Sequence, residues 1–189
     1  MIKINRYLPT DKIRDWNTQH QLGIREIKIK KGELILQAGF KCQHLYLIEK
    51  GFLRMYYHGL DAHEYTHWFA EEGSVCTSPF SYFSGEPNIL NIEALEDSEL
   101  IALTREQLEK VVSFFDTDTR PIRNVFIEMS MIMSRRIIHM NTESAEQQYL
   151  RFKQEFPEIF ARAKQAHIAS YIGVRPQSLS RIIHNIENK

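Results

Sequence analysis

The sequence predicts an α+β protein: an N-terminal β-roll, one long central helix, and a small helical unit at the C-terminal end. Three observations carry that prediction. Short apolar runs broken by glycine fill residues 24–103, the hydrophobic period lengthens from two to between three and four at Thr104, and charge is divided unevenly along the chain. Residues 1–119 hold 13 Lys/Arg against 18 Asp/Glu, a net of −5, while residues 120–189 hold 11 against 6, a net of +5. The formal total of zero therefore hides an acidic part joined to a basic part, and the basic part suits a polyanionic partner.

A chain of 189 residues, 43% hydrophobic, has ample material for a packed core. No run of about 18 apolar residues offers a membrane span, and the opening stretch lacks the apolar segment of a signal peptide. No membrane partner and a cytoplasmic location follow as expectations. Cys42 and Cys76 fit neither a disulfide framework nor a CxxC metal pair, so both read as packed free thiols.

In the first region, Ile27 and Ile29, then Tyr46 and Ile48, alternate with polar neighbours as half-buried strands do. Gly32, Gly39, Gly51, Gly59 and Gly73 fall where the runs stop, which suits many short strands joined by turns. At Thr104 a capping box, Thr104 with Gln107, opens an amphipathic helix carrying Leu108, Val111 and Val112. Pro121 then suits the first turn of a helix running to about Met140. Ile122, Val125, Phe126, Met129, Ile132, Met133, Arg136, Ile137 and Met140 recur on it at spacings of three and four. Because this helix joins two separate units, part of its apolar stripe should lack a partner within one chain. A homodimer seam is expected at Ile122, Val125, Phe126, Met129, Ile132, Met133 and Met140.

From Ala145 the pattern gives a helix, a second one begun by Pro157, and the closing stretch IASYIGVRPQSLSRIIHNIENK. The predicted division is 1–119 for the roll, 120–143 for the dimer helix and 144–189 for the terminal unit. That unit is too small for an ordinary independent core and should lean on the long helix and on the dimer. In the closing stretch Ile168, Ala169 and Ile172 lie on one helix, Gly173-Val174-Arg175 makes a turn, and Pro176 begins a second helix. Leu179, Ile182, Ile183 and Ile186 form its buried face, with Gln177, Ser178, Arg181, His184 and Asn185 on or beside the other. Gln pairs with adenine and Arg with guanine in the major groove, while Ser reaches a base or a phosphate. Arg175, Gln177, Ser178, Arg181, His184 and Asn185 are thus the candidate contacts to double-stranded DNA.

The array GELILQAGFKCQHLYLIEKGFLRMY, followed by a further β segment, a long helix and this helical pair, resembles the bacterial Crp/Fnr transcription regulators. The resemblance rests on Gly32-Glu33, Gly39, Tyr46, Ile48, Gly51 and Arg54, and on IASYIGVRPQSLSRI. It implies a cyclic-nucleotide-binding-like jelly roll, a dimer helix over 120–141, a recognition helix over 176–188 with base contacts at Gln177, Ser178 and Arg181, and RNA polymerase as a further partner. The family's phosphate cassette carries a Gly-Glu pair and an Arg before Ser or Thr, where this chain has Thr77-Ser78 and Asn88-Ile89. No Lys or Arg lies between Arg54 and Arg105, so a buried cyclic phosphate would find no charged donor there. Cyclic AMP is accordingly not expected as the effector. Thr77, Ser78, Phe80, Tyr82 and Asn88 either line a pocket for an uncharged or aromatic effector or fill it with their own side chains. The family's wing hairpin after the recognition helix is expected to be missing.

Other classes are disfavoured, and neither an enzyme nor a cofactor is expected. Two cysteines cannot supply the four ligands of the usual iron–sulfur sensor, and His63 and His67 read as ordinary histidines more readily than as haem ligands. A cupin-like metal enzyme would depend on His63, Glu64 and His67, but Glu64 would face away from the two histidines in a strand. A protein-interaction module without DNA specificity is the other alternative.

Overall fold

The computed structural model describes residues 9–114 and 120–188. Among these residues, eight strands form two antiparallel four-stranded sheets packed as a sandwich. One sheet runs β1 (Arg25–Ile29), β8 (Ser98–Leu103), β3 (Leu45–Lys50), β6 (Val75–Cys76); the other runs β2 (Leu34–Leu36), β7 (Asn91–Ala94), β4 (Phe52–His58), β5 (Glu64–Glu71). Leu47, Ile48, Leu53, Met55, Ile92, Leu100 and Ile101 belong to one buried hydrophobic cluster with side chains from α1, α3 and α4. Gly51 turns β3 into β4 with φ of +105°, and a Cβ there would sit 2.0 Å from the Ser98 hydroxyl oxygen. No other residue fits that corner without displacing β8.

Helices α1 (Thr10–His20) and α2 (Pro79–Ser84) belong to the roll, and α1 is an element beyond those the sequence predicts. Its one fully buried side chain, Ile13, plugs the sandwich core. Helix α3 (Arg105–Ser113) opens on the expected capping box, both halves of which form. Helix α4 (Arg120–Thr142) is the long helix, followed by α5 (Ala145–Glu155), α6 (Pro157–Arg162), α7 (Gln165–Tyr171) and α8 (Pro176–Glu187). Ser144 with Gln147 makes a second capping box at the start of α5.

Strand β4 departs from the half-buried alternation usual in antiparallel sheets, because Phe52, Leu53, Arg54, Met55 and Tyr56 are all buried. Leu53 and Met55 point into the sandwich, while Phe52 joins a second cluster with Phe69, Tyr149, Phe152, Ile159, Ile168, Ala169, Ile172 and Leu179. The terminal helices therefore rest on the outer face of the β4–β5 sheet. Support from that face is what the sequence did not reveal, since strand and helix periodicity describe each element's own faces and not what covers them.

The long helix also divides differently from the sequence reading. Val125 is 5% exposed within the sandwich core and Met129 packs against it, so these two expected seam residues face the chain's own roll. Ile132 and Met133 are half-buried and Met140 is exposed. The side chains of Ile122 and Phe126 lie outside the described residues. The exposed apolar side chains described on α4 are Ile127, Met131, Ile137, Ile138 and Met140, at 48%, 51%, 62%, 55% and 51%, so of the expected seam Met140 is open to solvent. Ile127, Met131 and Ile138, spaced by four and then seven residues, share one face of the helix.

Candidate nucleic-acid interface

Helices α7 and α8 are held together from the inside by small and branched side chains. Ala169 and Leu179 are both 0% exposed, and Ile168 and Ile172 complete the contact. Gly173 takes φ of +79°, a conformation favouring glycine, and the Val174 N–H returns to the Ala169 carbonyl at 2.9 Å to close the turn. Arg175 is extended at the N-cap of α8 and Pro176 occupies the first turn. With Leu179 pinned inward, Gln177 and Arg181 are exposed, as are His184 and Asn185 one turn further on, while Ser178 is half-buried. The first turn of α8 receives no side-chain cap and holds no acid. Its N-terminal partial positive charge is thereby left for an anion.

Arg175 is not free. Its guanidinium donates to Asp61 at 2.9 Å, in the loop between β4 and β5. Nearby, the Ser170 hydroxyl donates to the Glu64 carbonyl at 2.8 Å and accepts from the Thr66 N–H at 2.6 Å, tying α7 to β5. Two further arginines complete this contact, and a third, Arg54, is paired within the sheet beneath it. Arg162 forms paired hydrogen bonds with Glu72 at 2.7 and 3.0 Å and with Glu96 at 2.7 and 3.0 Å, and lies over the Phe52 ring. Arg136, on α4, donates to the carbonyls of Thr66, His67 and Tyr171. Arg54, 1% exposed, pairs with Glu64 and, at 3.0 Å, with Glu93.

Ionisation follows from these pairings. Burial would raise the Glu72 carboxyl, but Arg162 and backbone N–H groups outweigh it and hold the group at about 2. Arg162 and burial act oppositely on Glu96 too, with Arg162 prevailing and the value lowered. His167 of α7 is driven down to about 4 by burial, with Arg54 and Lys164 adding to the effect. His67 reaches about 4 by burial beside Arg136. Both histidines are neutral at pH 7.

The residues expected around an effector pocket are tied into the roll. Thr77 donates to the His44 carbonyl at 3.0 Å, Asn88 bonds the carbonyls of Gln37 and Phe40, and the Tyr82 hydroxyl reaches the Leu103 carbonyl at 3.4 Å. Ser78 is buried, whereas Phe80 is 63% exposed. Cys42 and Cys76 are free, buried thiols, and burial pushes Cys76 up. Of the set His63, Glu64 and His67, the Glu64 carboxylate is spent on Arg54 and the His63 ring meets the Asp61 carbonyl. No cluster of three metal-ligating side chains occurs among the described residues.

Sequence reasoning found the exposed face of α8 and missed the arginines that seat it. One signal was present: Arg136 interrupts an otherwise apolar stripe at helical spacing. A cation at such a position implies either a dry contact with carbonyls or a solvent-facing edge, and here it is the former.

Residues 26–113 match the cyclic nucleotide-binding domain. No curated protein matches the chain. Among solved structures, FixK2 from Bradyrhizobium japonicum is similar at 19% identity with a TM-score of 0.70, covering 87% of this chain and 85% of its own. The c-di-GMP responsive global regulator CLP of Xanthomonas campestris aligns at 12% identity and a TM-score of 0.72, covering 92% of each chain. A protein from Eubacterium rectale assigned to the crp/fnr family of transcriptional regulators aligns at 22% identity and a TM-score of 0.67, over 96% of this chain and 88% of that one. The fold is thus a cyclic-nucleotide-binding-type sandwich followed by C-terminal helices, arranged as in Crp/Fnr regulators. No described helix is long and apolar enough to cross a membrane.

Proposed function

We propose that this protein is a cytoplasmic, homodimeric, sequence-specific DNA-binding transcription regulator of the Crp/Fnr type, and not an enzyme. The observation that carries the reading is the geometry of α8. Leu179 fixes the helix inward, while Gln177 and Arg181 stand exposed near an uncapped N-terminus carrying no acid. α7, its glycine turn and α8 form a helix-turn-helix whose second helix enters the major groove. Arg175, Gln177, Ser178, Arg181, His184 and Asn185 supply contacts to phosphates and base edges. The functional division is 1–119, 120–143 and 144–189, and RNA polymerase is the partner met once DNA is bound.

The dimer seam is Ile127, Met131 and Ile138, the face of α4 on which three exposed apolar side chains align, Ile137 and Met140 being exposed elsewhere on the helix. Two recognition helices then address half-sites about one helical turn apart, about 34 Å. Replacing Met131 and Ile138 by Asp yields a monomer in sedimentation; a variant that stays dimeric removes this seam. Cyclic AMP is not the effector, because Arg54 is committed to Glu64 and Glu93 on the outer face of its sheet and no other Lys or Arg precedes Arg105 in the roll's second half. Micromolar heat of cyclic AMP binding in a calorimeter would contradict this.

Selection of sites from randomised duplex DNA tests the whole reading. Enrichment of a roughly palindromic motif is expected, with Arg181→Ala relaxing one base position per half-site at a cost of about 1–3 kcal/mol. Salt-insensitive binding with no preferred sequence would favour the protein-interaction module instead.

A further inference from the structure

The flank of α4 around Arg136 meets α5 and α7 across a cleft of about 220 Å³. One wall is aromatic: Phe152 lies 5.5 Å from Phe156 and 5.0 Å from Tyr171 between ring centroids. The other wall is cationic. The lining holds Arg135, Arg136 and Arg151; Arg151 is already paired with Glu143 at 3.0 Å and with Glu155 at 3.4 Å, which leaves Arg135 and Arg136 as the cations without an acid among the described residues.

Arg135 offers an accessible charge, and Arg136 a desolvated one. Arg135 is exposed and takes part in no ion pair among the described residues. The guanidinium of Arg136 lies 4.1 Å from the Tyr171 ring centre and donates to three backbone carbonyls. No carboxylate among the described residues balances its charge, and its Nε–H is buried without an acceptor. A desolvated cation without a counter-ion is unfavourable, and a bound anion offsets it.

We propose that this cleft binds a small organic carboxylate carried on a single ring or a short apolar body. The carboxylate is drawn to Arg135 and Arg136, and the apolar body lies on Phe152, Phe156 and Tyr171. The size of the cleft, below the roughly 300–1,000 Å³ of drug-sized sites, sets the limit on the ligand. On α4 the cleft lies roughly a third of a turn round from Ile127, Met131 and Ile138, so pairing through that stripe leaves it open. Tyr171 closes α7 and its carbonyl is held by Arg136, so an occupant of the cleft bears directly on the seat of α8; this consequence, though not the binding itself, rests on the DNA-binding reading.

The test uses the full-length protein with 3-phenylpropionate and its uncharged counterpart 3-phenylpropanol, followed by calorimetry and ligand-observed NMR. Saturable binding of the acid is expected, about tenfold tighter than the alcohol, with about tenfold lost in Arg135→Gln. Met140→Trp, at an exposed lining residue, fills the cleft and abolishes binding while leaving thermal unfolding unchanged. No saturable binding of the acid, equal binding of acid and alcohol, or indifference to both substitutions would overturn the proposal. Because the titration needs no DNA, a protein that binds the acid but enriches no DNA sequence fails the functional reading and keeps the site.

Discussion

The sandwich closes on itself, whereas the terminal helices close on the sandwich. Every buried member of the first core belongs to the roll except Val125 of α4, which packs in from the long helix. The second core takes Phe52 and Phe69 from β4 and β5, and Phe69 meets both Phe152 and Tyr171 at ring separations of 6.1 and 5.7 Å. A unit of some 45 residues buries too little apolar surface by itself, and borrowing a sheet face supplies the deficit. The loan fixes orientation as well as stability, since the surface that steadies α5 to α8 also determines where α8 points.

Charge repeats the difference. The acidic excess of the first part reads in sequence as a surface kept away from DNA. In the structure Asp61, Glu64, Glu72, Glu93 and Glu96 are each paired with an arginine, and three of those five pairings involve Arg162 or Arg175 from the basic part. Much of the asymmetry is spent inside the molecule.

The strongest way to break the dependence is Phe69→Ala, which removes a 1%-exposed ring from the shared core at a cost of about 3–5 kcal/mol. Limited proteolysis should then cut residues 144–188 well before the roll; simultaneous loss of both would mean the two regions are a single cooperative unit. Next in size is Arg162→Ala. A carboxyl held below its ordinary value contributes stability that is present above that value and lost as pH falls through the depressed one. For Glu72, whose ordinary value is 4.5 and folded value about 2, the loss runs from about pH 5 downward. Since Glu72 and Glu96 are each 40% exposed, the contribution is about 1 kcal/mol and weakens with salt. Chemical denaturation between pH 7 and 3 should show a steeper decline in the native protein than in Arg162→Ala; parallel curves would remove Arg162 from the account. The smallest effect on stability belongs to Asp61→Asn, at an exposed pair worth less than about 1 kcal/mol. Releasing Arg175 should nonetheless tighten DNA binding at low salt. Unchanged affinity would place Arg175 outside the DNA contact.

Local chemistry made much of this legible in advance. Thr104 with Gln107 marks a helix start because both side chains satisfy backbone groups within one turn, and Gly173 with Pro176 marks a turn and a helix start in the same way. The inward and outward faces of α8 follow from a 3.6-residue period alone. What these signals lack is any record of the neighbour. The stripe on α4 looked the same whether a roll or a second chain would cover it, and Val125 and Met129 proved to face the roll.

From the sequence alone came the succession of strands and helices, the residues that α8 exposes, and the stretch from Arg54 to Arg105 without an intervening Lys or Arg, because each depends on residues near one another in the chain. The tertiary structure alone decided that Phe52 and Arg54 are buried from outside, that Arg162 spans 90 residues to reach Glu72, and that Arg175 is already paired. Packing joins surfaces of distant segments, and no periodicity within either segment encodes which distant surface it will meet.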